Sequence, residues 1–141
     1  MYILDTNVIS EMMKQEPSAS VAKFLASKQL NTLCTTWINI AEIQRGISRL
    51  PDGKRKLKLN EQFKLFAHHA FGTRIFAFEQ KAAFEYARLG EQREHAGLHI
   101  DSVDLMILAI AKTHNFKIIT RNVADFDGVG VKIINPWTNN D

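Results

Sequence analysis

MYILDTNV, residues 1–8, decides how this chain is read. A short apolar run stops abruptly at Asp5-Thr6-Asn7, and Val8, Ile9, Met12 and Met13 then recur at helical spacing. A buried strand feeding straight into a helix has this pattern. The acid at the junction therefore emerges at the carboxyl edge of the sheet that the strand joins.

The same alternation continues to the end of the chain. Residues 33–36, 74–78, 117–120 and 131–134 read as four more short strands. Glu16-Pro17-Ser18 breaks the first helix and starts a second, with Val21, Phe24 and Leu25 as its apolar stripe. Ile40, Ile43 and Ile47 mark a third, which stops at Leu50-Pro51-Asp52-Gly53. Leu59, Phe63, Phe66 and Ala70 mark a fourth that ends at Gly72, and Ala83, Tyr86, Ala87 and Gly90 form the expected face of a fifth. A further helix over residues 102–114 is apolar nearly all round, as a central buried helix is. Short strands alternating with helices imply an α/β fold, with a mainly parallel sheet of about five strands flanked by helices. One domain over residues 1–141 is expected.

Composition agrees with a single core. The chain has 141 residues, 45% hydrophobic and 23% charged, which excludes collagen, coiled coil and disorder. Eighteen basic residues against fifteen acidic give a net charge of +3, compatible with an anionic partner. Cys34 is the one cysteine, so no intrachain disulfide forms, and its strand neighbours suggest a buried, inert thiol. No apolar run approaches the ~20 residues of a membrane helix. The N-terminus lacks the basic and long apolar regions of a signal peptide. The expectation is a soluble, cytoplasmic protein.

Ligands of such sheets bind beyond the carboxyl ends of the strands, where four acids fall. Asp5 follows the first strand; as a single residue it reads equally as helix cap or as ligand. Glu42 sits in the otherwise apolar start of a helix, Ile38-Asn39-Ile40-Ala41-Glu42-Ile43, where dipole complementation is the plainer reading. Asp104 opens the buried helix three residues after Asp101, a spacing that also suits a capping box. Asp125 follows the fourth strand in Thr120-Arg121-Asn122-Val123-Ala124-Asp125-Phe126, with Thr120 and Asn122 as neutral oxygen donors. Converging carboxylates raise one another's pKa. A hard divalent cation removes that conflict, and with a phosphodiester bound it supports hydrolysis.

Arg45, Arg49, Lys54, Arg55, Lys56 and Lys58 form a basic stretch opposed only by Asp52. It reads either as a solvated helix and loop or as a phosphate-facing rim, with Arg45, Arg49, Lys54 and Arg55 as the phosphate-facing candidates. His68, His69, His95, His99 and His114 lack zinc-site spacing, and Tyr2, Trp37 and Trp137 read as core or interface residues.

LDTNV, AEI around Glu42, DLMILAIA from Asp104 and TRNVADF from Thr120 resemble, in order, the four motifs of PIN-domain nucleases. The opening LDTNVISE and closing NPW are similar to the FitB/VapC toxins of type II toxin–antitoxin systems. The resemblance spans the whole chain. It implies a Mg²⁺- or Mn²⁺-dependent endoribonuclease that inhibits translation. Its implied partners are RNA, a second copy in a homodimer, and a cognate antitoxin that joins it in a higher assembly and alone contacts operator DNA. Transfer RNA is the family-level target, with ribosomal and messenger RNA left open. Asp5, Glu42 and Asp104 match the first three acidic positions. At the fourth, some relatives carry an acid where this chain has Asn122, and Asp125 is favoured here. Asp5 and Asp104 would be the principal metal ligands, supported by Glu42 and Asp125, while Thr6, Asn7, Thr120 and Asn122 would position water or substrate.

Two other classes compete with this reading. One is a non-catalytic, receiver-like Mg²⁺-binding module, which fits poorly because Thr6-Asn7 and Thr36-Trp37 occupy the strand ends that would carry its acids. The other is a structural partner protein whose acids are all helix caps.

Overall fold

Tyr2–Leu4 (β1) alternates its side chains between two buried faces, so both of its sides need covering. In the computed structural model, which describes residues 1–138, it lies in the middle of the sheet. Leu33–Thr36 (β2) pairs with it on one side and Lys117–Ile119 (β4) on the other, with Ile3 opposite both Cys34 and Ile118. Ile75–Phe76 (β3) adds outside β2 and Ile133–Ile134 (β5) outside β4. All pairings are parallel, in the order β3-β2-β1-β4-β5.

Five short parallel strands were expected, and five form. The two edge strands are shorter than the apolar pattern suggests: residues 74–78 contract to Ile75–Phe76 and residues 131–134 to Ile133–Ile134. An edge strand has a partner on one side only, so its ladder ends sooner.

Thr6–Met12 (α1), Ala19–Ala26 (α2), Trp37–Ser48 (α3) and Lys54–Phe71 (α4) cover one face of the sheet, burying Leu4, Val8, Ile9, Phe24, Ile47, Phe63 and Ile119. Gln80–His95 (α5), Ser102–His114 (α6) and Val123–Phe126 (α7) cover the other, around Ile3, Leu89, Leu108, Ile118 and Phe126. At about 25 cal/mol per Å² of buried apolar surface, these two layers supply the main driving force for folding. Every residue from Ile107 to Ala111 is fully buried, so α6 is the central helix that its composition suggested.

The expected face of α5 is rotated. Ala83 and Ala87 are exposed, and Ala82, Leu89 and Arg93 are buried instead, with Tyr86 and Gly90 partly so. Adjacent alanines give almost no contrast, and the true stripe ends in an arginine, which reads as polar. No helix was expected after the fourth strand; Val123–Phe126 forms a short one, folded down by the fully buried Phe126.

From β1 the chain steps outward to β2 and β3, then crosses back to β4 and β5 on the other side of β1. The strand order therefore changes direction between β1 and β4, and the crevice beyond their carboxyl ends is the preferred ligand site of an open α/β sheet. A receiver-like module has the order 2-1-3-4-5. The observed order is not that of a receiver. Among the described residues no helix is long and apolar enough to cross a membrane.

Candidate active site

Asp5 stands at this crevice as the first residue beyond β1, 4% exposed, its N–H bonded to the Ile119 carbonyl at 2.9 Å. Cap and site coincide here. One carboxylate oxygen, Oδ1, accepts from the Thr6 N–H at 2.8 Å and from Asn39 Nδ2 at 3.1 Å. Oδ2 accepts from the Thr120 hydroxyl at 2.7 Å and, more weakly, from Asn7 Nδ2 at 3.5 Å. Burial raises the Asp5 pKa, the bonds from Thr120, Thr6 and Asn39 pull it back, and the charge of Asp125 adds to the rise.

The neighbours that hold Asp5 are themselves held. Thr36 caps α3, accepting from the Asn39 N–H at 3.2 Å and donating to Asn39 Oδ1 at 2.6 Å. This aims the Asn39 amide at Asp5 and at Thr6 Oγ1, the latter at 3.1 Å. The Thr6 hydroxyl then donates to Glu42 Oε1 at 2.8 Å. On the β4 side, Thr120 Oγ1 accepts from Asn7 Nδ2 at 3.3 Å and from the Asn122 N–H at 3.1 Å, and Asn7 Oδ1 accepts from the Arg121 N–H at 3.2 Å.

Glu42 as a residue is exposed, but its carboxyl lies against Thr6. Burial raises its pKa, the Thr6 bond lowers it, and the charges of Asp5 and Asp101 raise it further. Asp104, half-buried in the first turn of α6, is pushed up to about 7, first by burial and then by Asp5, Asp101, Asp125 and Glu42. The mutual repulsion locates all four expected acids in one neighbourhood. It also adds a fifth, Asp101, which the sequence offered only as the α6 cap and which does cap it, accepting from the Val103 N–H at 3.4 Å.

Among the described residues none of these five carboxylates forms an ion pair. Nor do any three of the histidine, cysteine, aspartate and glutamate side chains converge closely enough to enclose one ion. An all-oxygen, uncompensated donor set of this kind fits a hard divalent cation held by one or two carboxylates, with water filling the remaining positions. It does not fit a closed cage.

The PIN domain family model matches residues 2–132. The chain belongs to the PIN domain family. It is 36% identical over 137 residues to plasmid stability protein StbB of Pseudomonas syringae pv. tomato, covering 97% of this chain and 99% of that protein. It is 35% identical to VapC ribonuclease Y4jK of Sinorhizobium fredii, covering 97% and 98%. Toxin FitB of Neisseria gonorrhoeae is 34% identical, covering 97% and 99%. Among solved structures, FitAB bound to an IR36 DNA fragment superposes with a TM-score of 0.93 at 33% identity, covering 100% of this chain and 99% of that one.

In this PIN domain the fourth-motif residues separate. The Asn122 side chain is exposed and gives α7 no cap, whereas Asp125 is near enough to raise the pKa of both Asp5 and Asp104. Arg45, Arg49, Lys54 and Arg55 are all exposed. Only Arg55 lines the groove that runs from Thr6 and Glu42 past Lys14 over an apolar floor of Met13, Ile43, Ile47, Leu50 and Leu59. Arg45 donates instead to Ser48 on its own helix. Cys34 is fully buried and its thiol is pushed up to about 12, mainly by burial, so it is the inert thiol expected.

Sequence reading underrated Asn39. It appears in the sequence only within the apolar-looking start of α3, yet it is fully buried and joins Asp5, Thr6 and Thr36. The available signal was Thr36 three residues ahead of it, since a capping threonine places that position beside the strand end.

Proposed function

We propose that this PIN domain is a divalent-metal-dependent endoribonuclease acting as the toxin of a type II toxin–antitoxin pair. The observation that carries the reading is the group of carboxylates that, among the described residues, have no paired cations at the β1/β4 switch point, with Asp104 pushed up to about 7 by burial and by its acidic neighbours. Similarity to proteins named VapC ribonuclease and toxin FitB supports the substrate class and the role.

Asp5 and Asp104 would hold the cation, Mg²⁺ or Mn²⁺, with Glu42 and Asp125 acting through water. A bound divalent cation supplies an activated water for attack on the phosphodiester and neutralises charge on the leaving oxygen. The chain's own part is to hold these groups in place. Thr120 and Asn39 fix the Asp5 rotamer, and Thr6 orients Glu42. Asn7 and Asn122 would position water or substrate. Arg55 and Lys14 line the groove leading away from the acids and would attract the RNA backbone, with Arg45, Arg49 and Lys54 forming an outer basic rim. Transfer RNA is the expected target. Neutralisation by a cognate antitoxin, homodimerisation and action in the cytoplasm complete the reading, with operator DNA contacted through the antitoxin alone.

The deciding experiment sequences RNA ends after brief induction, wild type beside Asp5→Asn. Asparagine keeps the cap geometry, so the variant folds but loses both Mg²⁺-dependent cleavage and growth inhibition. Undiminished cleavage in Asp5→Asn refutes the assignment.

A further inference from the structure

Arg93, in the last turn of α5, is 3% exposed, and among the described residues its charge meets no carboxylate. Its guanidinium bonds backbone instead. Nη1 donates to the Asp127 carbonyl, and Nη2 to the carbonyls of His99 at 2.6 Å and Ala124 at 3.5 Å. Nε is buried without a partner.

These three carbonyls belong to two segments. His99 stands two residues before Asp101, in the loop that delivers α6 and Asp104. Ala124 immediately precedes Asp125, and Asp127 closes α7. One rigid, planar fork therefore ties together the two acid-bearing segments beside the crevice. Burying a charge without a counter-ion is costly, and an apolar side chain of similar volume fills such a space at no such cost. The carboxyl end of α5 offsets part of that cost through its dipole. The dipole does not account for a fork shared between two other segments.

We propose that Arg93 is a positioning residue that fixes Asp101 and Asp104 relative to Asp125, and that divalent-cation binding at the candidate site depends on it. The inference rests on the metal-dependent reading given above. Outer groups that orient metal ligands typically contribute 10–100-fold to metal affinity.

Calorimetric titration of Mn²⁺ alone into the full chain tests this, comparing wild type with Arg93→Gln and Arg93→Lys. The glutamine variant is expected to bind about 10–100-fold more weakly while keeping a native circular dichroism spectrum. The lysine variant, able to reach fewer carbonyls, should fall between the two. A folded Arg93→Gln variant that binds Mn²⁺ within about twofold of wild type overturns the proposal, given the 10–100-fold expected.

Hydrogen exchange on the wild type keeps the test independent of variant folding. Mn²⁺ should protect residues 99–104 and 123–127 with one common midpoint, and protection confined to one segment overturns the clamp. A wild type with no stoichiometric Mn²⁺ site refutes the nuclease reading and this inference together. A wild type with the site and variants of equal affinity refute this inference alone.

Discussion

Replacing Asp104 by asparagine removes one charge from five neighbouring carboxylates that, among the described residues, have no paired cation, and in metal-free protein it should stabilise the fold. The Asp104 carboxyl is raised from 3.8 to about 7. That is roughly three pH units at 1.36 kcal/mol each, a ceiling of about 4 kcal/mol. Asp104 is only half-buried, so solvent screening reduces the figure to about 1–2 kcal/mol. For a domain of this size the melting temperature should rise by about 3–6 °C.

The pH dependence follows from proton binding. Between pH 3.8 and about 7 the native state holds a proton on Asp104 that the unfolded chain has released. Wild-type stability therefore falls as pH rises through that window. Above about pH 7 the penalty is fully present, and below 3.8 it is gone. Urea unfolding in EDTA at pH 8 and again near pH 4 measures the difference, which should be large at the first and small at the second. Mn²⁺ at a hundred times its Kd should then reverse the order, since it adds about 2.7 kcal/mol to a protein that binds it and little to one that does not. The reasoning fails if Asp104→Asn is less stable than wild type in EDTA at pH 8, or if its advantage is the same at both pH values.

Other substitutions test the supporting structure. Asn39→Ala removes a donor to the buried Asp5 and an acceptor from Thr36; thermal melts should show a loss of about 1–3 kcal/mol. Phe126→Ala should cost about 3–5 kcal/mol in chemical unfolding, because the ring is fully buried beneath α7. Arg55→Ala should weaken RNA binding and reduce its log–log salt slope by about 0.7 while leaving the Mn²⁺ Kd unchanged, and an unaltered slope would remove the groove from the RNA path. The Cys34 thiol, pushed up to about 12 and fully buried, should resist Ellman's reagent at pH 8 until the protein is unfolded.

The strands were legible because a parallel sheet covered on both faces leaves nearly uninterrupted apolar runs, as in Tyr2–Leu4 and Lys117–Ile119. The acids were legible through the same logic: once the strand ends are known, Asp5 and Asp125 fall at one edge of the sheet. Polar residues with two roles were not. Asp101 read as a cap because it is one, and nothing in a single sequence reports that its charge also reaches Asp104 and Glu42. Arg93 was hidden by its type, since a charged residue on a helix face is assigned to solvent until the carbonyls that enclose it are known. The rotated face of α5 has the same origin, because the stripe containing Arg93 looked less apolar than the alanines beside it.

The central place of β1 also bears on when the site can exist. Asp5 is made well before its surroundings, since Thr120, Asp125 and the β4 strand that flanks it come more than a hundred residues later. At about 5–20 residues per second, that interval is on the order of ten seconds. Throughout it, β1 has no partner on its β4 side, and the acids of α6 appear only near its end. Asp5 therefore lacks the neighbours that complete its surroundings until residues 117–125 have been made, and the site forms only as β4 and α7 fold beside β1.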